Sequence, residues 1–402
     1  MLNSLHLCAF ASKFFDLLGL QPQICKSAII GAMTRFCLIG PTYPYRGGIA
    51  HYTTLLAQHL REEYETLLIS FSRQYPRWLF PGRSDQDPSE RPLRTDAEYL
   101  LDPLNPLSWW RTLQRIQEWQ PDVVVIPWWV PFWAPAWAVL GRGIKWLRPR
   151  PRLLFICHNV LPHEKGLWDE MALRLALSAG DGFVVHAQAD GQRLLAHFPQ
   201  ARLAVSPLPT YAALGQTVAD LPVTPPADAP IALFFGLVRP YKGLEVLLEA
   251  IALLERPLHL IVAGEFWQDE AVYREQIARL GLETAVTILN KYVPDEEVAA
   301  LMQAVDVVVL PYHTATQSAT VQVAFGHGKP VITTDVGGLA EAVRHNGTGL
   351  IVPPGDPQQL AEAIDRFFAE DLGPIFAENV RRENGRFDWE YLCQTLLTLA
   401  NR

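Results

Sequence analysis

The chain is poor in methionine and in charge. Of its 402 residues, 4 are Met and 19% are charged, against 49% hydrophobic. That balance excludes an intrinsically disordered chain. No excess of positive charge is present: Lys and Arg number 34, Asp and Glu 42, for a net charge of −8. Proteins built to bind nucleic acid carry a basic surface, so no nucleic-acid partner is expected. The 5 cysteines, at 8, 25, 37, 157 and 393, form no CxxC pair and no metal-ligand spacing. An odd, widely spaced set reads as reduced core thiols of a cytoplasmic protein, without a disulfide framework or a zinc site. Residues 123–141 are uncharged, but Pro127, Pro131 and Pro135 interrupt them, so no transmembrane helix is expected. Residues 1–32 lack the leading basic region of a secretory signal, since the first cation, Lys13, follows the first apolar stretch. Met33 then opens a run into a strand, so 1–32 reads as a loose extension or a misassigned start.

What is present is alternation. Short apolar runs, expected as strands, fall at 36–40, 67–70, 122–126, 153–157 and 182–186, with helical patterns at 49–60, 171–178 and 189–197. A Pro- and Ala-rich stretch without periodicity, 212–229, reads as a linker. A second series has strands at 231–236, 258–263, 286–289, 307–310 and 331–333. Its helices are expected at 243–254, 270–280, 296–302, 318–325, 339–344 and 357–368. The last helical pattern, 389–400, has no strand partner. Two such series predict an α/β protein of two doubly wound Rossmann-like domains facing across a cleft, with ligands at the carboxyl ends of the strands.

Six segments carry candidate chemistry. Gly47 and Gly48 lie between the first strand and a helix, where backbone can approach an anion, though a plain strand-to-helix turn has the same look. Arg239 and Lys242 share one short loop after the strand at 231–236, the makings of a diphosphate site. Gln317 and Ser318 precede a helix; Ser318 is an N-cap candidate, so the amides of Ala319 and Thr320 become available to phosphate. Gly337 and Gly338 open a turn that brings Glu341 to the cleft, or else Glu341 serves its own helix. His158 and Asn159 close an apolar strand, where a histidine suits acid–base work or a hydroxyl contact, and His163 and Glu164 follow in the same loop. Finally Trp128, Trp129, Trp133 and Trp137 precede five cations in 141–152 without an acid, a pattern of core packing or of contact with an anionic membrane surface. Asp85-Gln-Asp87 matches a DxD pattern only formally and no metal is assigned to it.

Taken together in this order, the glycine loop, His158, the loop ending Lys242-Gly243, and Gly328-Lys-Pro-Val-Ile-Thr-Thr-Asp-Val-Gly-Gly338 with Glu341 resemble the retaining family-4 glycosyltransferases of the GT-B fold. The resemblance spans roughly 33–402. It implies an acceptor-side domain at 33–211, a linker at 212–229, a donor domain at 230–385 and a last helix, 386–402, returning to the first domain. It further implies a nucleotide-sugar donor as substrate, no cofactor and no required metal, and a glycan or lipid-linked hydroxyl acceptor. The location expected is cytoplasmic, peripheral on the inner membrane face. By the same resemblance Gly48 approaches the donor diphosphate, Lys242 neutralises it, Arg239 reaches the same phosphates, and His158 lies beside the transferred sugar. One feature departs from the family: its two Glu, separated by seven residues, are Ala315 and Val323 in this chain. Gln317, Ser318 and Gln322 are the nearest polar substitutes, and the chain reads as a variant branch. The rival readings are another GT-B enzyme, such as a nucleotide-sugar epimerase or a phosphorylase, and a catalytically weak, membrane-associated partner subunit.

Overall fold

The computed structural model describes residues 34–76, 78–80, 82–161, 166, 168–215, 220–223 and 229–401. The expectations for 1–32, His163, Glu164 and part of the linker lie outside the described residues.

The first sheet is built from β1 (Arg35–Ile39), β2 (Glu65–Phe71), β3 (Glu98–Leu101), β4 (Val123–Trp128), β5 (Arg152–Cys157), β6 (Gly182–Val185) and β7 (Leu203–Val205). Its helices are α1 (Gly48–Glu63), α2 (Pro106–Trp119), α3 (Ala134–Trp146), α4 (Asp169–Leu177) and α5 (Gln188–His197). Every pairing is parallel and the strand order is β3-β2-β1-β4-β5-β6-β7. Residues alternate between the two faces: Phe36 and Leu38 join one core cluster, Cys37 and Ile39 the other. Both faces must therefore be covered by helices, as in any all-parallel sheet.

The second sheet contains β8 (Ile231–Phe235), β9 (His259–Ala263), β10 (Val286–Leu289), β11 (Val307–Leu310), β12 (Val331–Thr334) and β13 (Gly349–Val352) in the parallel order β10-β9-β8-β11-β12-β13. Around it lie α6 (Leu244–Ala252), α7 (Glu270–Leu280), α8 (Asp295–Ala304), α9 (Ala319–Gly326), α10 (Gly337–Ala342), α11 (Pro357–Ala369) and α12 (Leu372–Glu383). The final helix, α13 (Trp389–Asn401), packs on α1 and on β5, β6 and β7 of the first sheet. Trp389 fixes it there: its indole N–H donates to the Thr210 carbonyl at 2.9 Å and its ring lies 5.1 Å from Tyr52.

The Trp-Pro segment is where the structure corrects the sequence reading. Trp128, Trp133 and Trp137 are at most 1% exposed, so they are neither a membrane face nor an acceptor surface. Trp133 and Trp137 stack at 5.1 Å between α3 and the sheet, with Phe71 4.4 Å from Trp133. The prolines permit this. Pro131 starts a short 3-10 turn and Pro135 sits in the first turn of α3, positions that need no amide donor. The apolar run is thus a strand followed by a helix, and among the described residues no helix is long and apolar enough to cross a membrane.

Candidate functional site

Strand order reverses between β1 and β4 in one sheet and between β8 and β11 in the other. Loops diverge at such points and leave a crevice at the carboxyl edge. All four of these strands feed one cavity of about 380 Å³: Arg46, Gly47 and Gly48 after β1, Trp129 after β4, Gly236, Arg239 and Lys242 after β8, and Ala319 and Thr320 after β11.

Its polar floor is a cradle around Gly236. That residue has φ +97°, and a Cβ on it would lie 3.3 Å from Lys242 Nζ and 3.4 Å from Thr320 Oγ1. Lys242 is buried at the end of the turn Pro240–Lys242, its ammonium 5.2 Å from the Tyr312 ring centroid. Burial disfavours its charge, the phenols of Tyr312 and Tyr241 favour it, and the net displacement of its pKa is upward, so the lysine is a fixed cation. Ser318 is the N-cap of α9, accepting from the Thr320 amide at 3.2 Å. Gly48 brings the first domain to this helix start, where a Cβ on it would be 3.5 Å from that of Ala319.

The remaining wall is aromatic and held by contacts between the domains. Gly47 N donates to Tyr292 Oη at 3.1 Å, and the Arg46 guanidinium, 4.8 Å from the Tyr292 ring, forms a buried ion pair with Glu265. Glu265 also accepts from Arg83 N at 2.7 Å. Beside them His51 Nε2 lies 3.0 Å from Asp295 Oδ1 and 3.7 Å from Asp87 Oδ2. Burial lowers the His51 pKa, but the two carboxylates outweigh it and raise it to about 9. The spare oxygens are bonded to backbone: Asp295 Oδ2 accepts from Leu93 N and Asp87 Oδ1 from Ser89 N. The three side chains are spaced to surround a metal ion. A protonated His51 supplies the positive charge at that place. Sequence reasoning missed Arg46, Glu265, Tyr292 and this triad. The one local signal was Asp87 within Asp85-Gln-Asp87, and its partners stand far away in the sequence.

The residues expected in a single donor site divide between two cavities. Gly47, Gly48, Arg239, Lys242, Ala319 and Thr320 share the first. Gln317, Ser318 and Glu341 line a second, of about 280 Å³, with His186, Gln188 and Arg386. The first turn of α9 separates them, since successive residues leave it in different directions. Glu341 neither serves its own helix start nor meets Lys242. Its carboxylate accepts from Gln188 N at 2.8 Å and Ala189 N at 3.2 Å, capping α5 of the other domain. Gly337 allows this by close packing, as a Cβ there would fall 1.9 Å from the Ala315 carbonyl oxygen.

His158 is buried behind the second cavity. Its ring meets Tyr52 edge-on at 4.5 Å and lies 5.3 Å from His186, which lines that cavity. Burial, and then His186, push its pKa well below the usual histidine range, and its Nε2 has no hydrogen-bond partner among the described residues. Burial likewise lowers His186 to about 4, against the opposing bond of its Nδ1 to the Ser206 carbonyl. Two neutral imidazoles thus stand together, able to hydrogen-bond hydroxyls without adding positive charge. Val323 lines the first cavity and Ala315 is buried, so neither position offers a carboxylate.

Two family models match this frame: Glycosyltransferase Family 4 over residues 46–209 and Glycosyl transferases group 1 over 229–370. The chain belongs to the family-4 glycosyltransferases. A D-inositol 3-phosphate glycosyltransferase of Corynebacterium urealyticum is 32% identical over 184 residues, 43% of each chain. One from Corynebacterium efficiens is 29% identical over 225 residues, 54% of this chain and 52% of the relative. The chain thus matches about half the length of these curated relatives. Among solved structures, HepE of Anabaena in complex with UDP superposes with a TM-score of 0.67 at 22% identity, over 92% of this chain and all of that one. A sucrose-phosphate synthase of Thermosynechococcus elongatus gives 0.67 at 19% identity, over 91% and 98%. These likenesses establish the fold, which is GT-B.

Proposed function

We propose that the protein transfers a sugar from a nucleotide-sugar donor to a hydroxyl acceptor, glycan or lipid-linked, with retention of configuration and without a metal or other cofactor. The observation that carries this reading is the cradle formed by Lys242, Thr320 and the empty side-chain position of Gly236, at the crevice where both sheets reverse order. A fixed cation beside a helix start stabilises a departing diphosphate, and charge stabilisation of the leaving group is the main demand of such a transfer. Arg239, on the same loop, adds a second cation. In this reading the transferred sugar reaches the second cavity, where His186 and, behind it, His158 are neutral imidazoles that bind hydroxyls without opposing the positive charge that develops on the sugar. UDP, which HepE binds, is the first nucleotide to try. The acceptor side includes Trp129, the member of the tryptophan set that lines the cavity.

A second reading, a catalytically weak partner subunit, is favoured by Val323, which places a methyl-bearing wall where the family has a carboxylate. Thermal-shift titration with UDP, GDP, ADP and their sugar conjugates, with and without magnesium, separates the two. A metal-independent shift with one nucleotide, lost in Lys242→Ala, supports the transferase. No shift with any of them supports the subunit.

A further inference from the structure

Helices α2, α3 and α4 lie side by side on the face of the first sheet opposite α1 and α13. Under them is a core cluster drawn from the first domain alone. Their outer surface is unusual. Eight of the sixteen large apolar side chains that stand exposed among the described residues fall within 104–175. Leu107 and Trp110 lie on α2, Val139 and Trp146 on α3, Met171 and Leu175 on α4. Trp146 is 82% exposed and Trp110 57%. On α3 the exposed positions Pro135, Val139, Arg142 and Trp146 follow helical spacing, so they form one outward stripe. Among the described residues nothing packs over it.

The charge on this layer differs from the rest of the chain. Residues 141–152 hold Arg142, Lys145, Arg148, Arg150 and Arg152 without an acid, although the net charge of the whole is −8. Arg150 is paired with Asp181; among the described residues the side chains of Arg142 and Arg148 reach only backbone carbonyls. Exposed tryptophan and aliphatic groups beside unneutralised arginines match an anionic bilayer, which takes the apolar groups into its headgroup boundary and the cations onto its phosphates. A second copy of the chain fits less well, because a two-fold contact through this face would bring both basic clusters together. The helices begin at the carboxyl edge of the sheet, and α3 follows closely on Trp129 at the donor cavity.

We infer that the outer face of α2, α3 and α4 is a docking surface for an anionic lipid bilayer. The inference deepens the proposed transfer to a lipid-linked or surface glycan acceptor and rests on that reading for its purpose, while its test does not use transfer. The full chain is floated with vesicles of phosphatidylcholine alone and with equal parts of phosphatidylglycerol, at low and high salt. Wild type is expected to float with the anionic vesicles only, and salt is expected to weaken binding. Trp110→Glu with Trp146→Glu, or Arg142→Glu with Arg148→Glu, is expected to reduce binding by about tenfold or more. Nucleotide thermal shifts, read on the same variants, are expected to stay at the wild-type value, so loss of the donor site and loss of the membrane face are distinguishable. Wild type that stays unbound at low salt, or variants that bind as wild type does, overturns the inference. So does a wild-type dimer, without vesicles, that Trp146→Glu dissociates.

Discussion

Lys242 Nζ and Thr320 Oγ1 both border the side-chain position that Gly236 leaves empty, 3.3 and 3.4 Å from where a Cβ would stand. A buried cation with an open space before it is suited to a phosphate oxygen. Removing that cation costs a charged hydrogen bond, about 2–3 kcal/mol. Lys242→Ala is therefore expected to lower kcat/KM for the nucleotide sugar by roughly 30- to 150-fold. Steady-state kinetics over a donor titration checks this, and an unchanged kcat/KM removes Lys242 from the site.

His158 is expected to act as a neutral group throughout the physiological range, because burial and the adjacent His186 hold its pKa well below the ordinary value. His158→Ala should then reduce kcat far more than nucleotide affinity, since the imidazole lies behind the second cavity and does not line the one that holds Lys242. The pH profile of kcat should show no limb near pH 6.5, about where an ordinary histidine titrates. A limb there that disappears in His158→Gln would contradict the assignment.

Sequence pattern read some of this architecture and missed other parts for definite reasons. The buried parallel strands, such as Val123–Trp128 and Ile231–Phe235, are short β-branched or apolar runs between breakers and show plainly. The edge strand Glu98–Leu101 does not, because half-exposed residues and a Pro-rich approach hide it. Helix α3 was masked by its prolines, although both lie where a helix start tolerates them. At the site, residues near one another in sequence, such as Arg239 and Lys242, could be associated by eye. Arg46 with Glu265, and His51 with Asp295, join only through the meeting of two domains, and no local spacing encodes such a pair. Exposure was likewise invisible in one dimension: Trp133 and Trp137 read like Trp146, yet only Trp146 reaches solvent.

Val323 sets an expectation about the ribose. It lines the cavity that holds Lys242, whose two carboxylates are already engaged: Glu265 by Arg46 and the Arg83 amide, Asp295 by His51 and the Leu93 amide. A ribose bound in this cavity would therefore meet no free acid. Wild type should distinguish the ribo and deoxyribo forms of its nucleotide by no more than about threefold, the scale of a weak neutral contact. Val323→Glu supplies an acceptor and should raise that preference to about tenfold or more, the scale of a charged hydrogen bond, with some loss of thermal stability from burying the acid. Calorimetric titration with both forms measures it. A wild type that already discriminates by the larger factor shows that another group grips the ribose.

His51 makes cleft stability sensitive to alkali. Its pKa is raised to about 9 by Asp295 and Asp87, against the lowering effect of burial. A raised folded pKa means that the folded state binds the proton more tightly than the unfolded chain does. The resulting stability is fully present below the unfolded value of about 6.5 and fades as pH climbs through about 9. The full effect is on the order of 3 kcal/mol. Since His51 and Asp87 belong to one domain and Asp295 to the other, the loss falls on the contact between them. The thermal midpoint of wild type should drop between pH 7 and pH 10, whereas His51→Gln, which keeps a donor toward Asp295 but does not titrate, should lack that component. Parallel pH dependence in wild type and His51→Gln would show that the proton on His51 contributes nothing to closure.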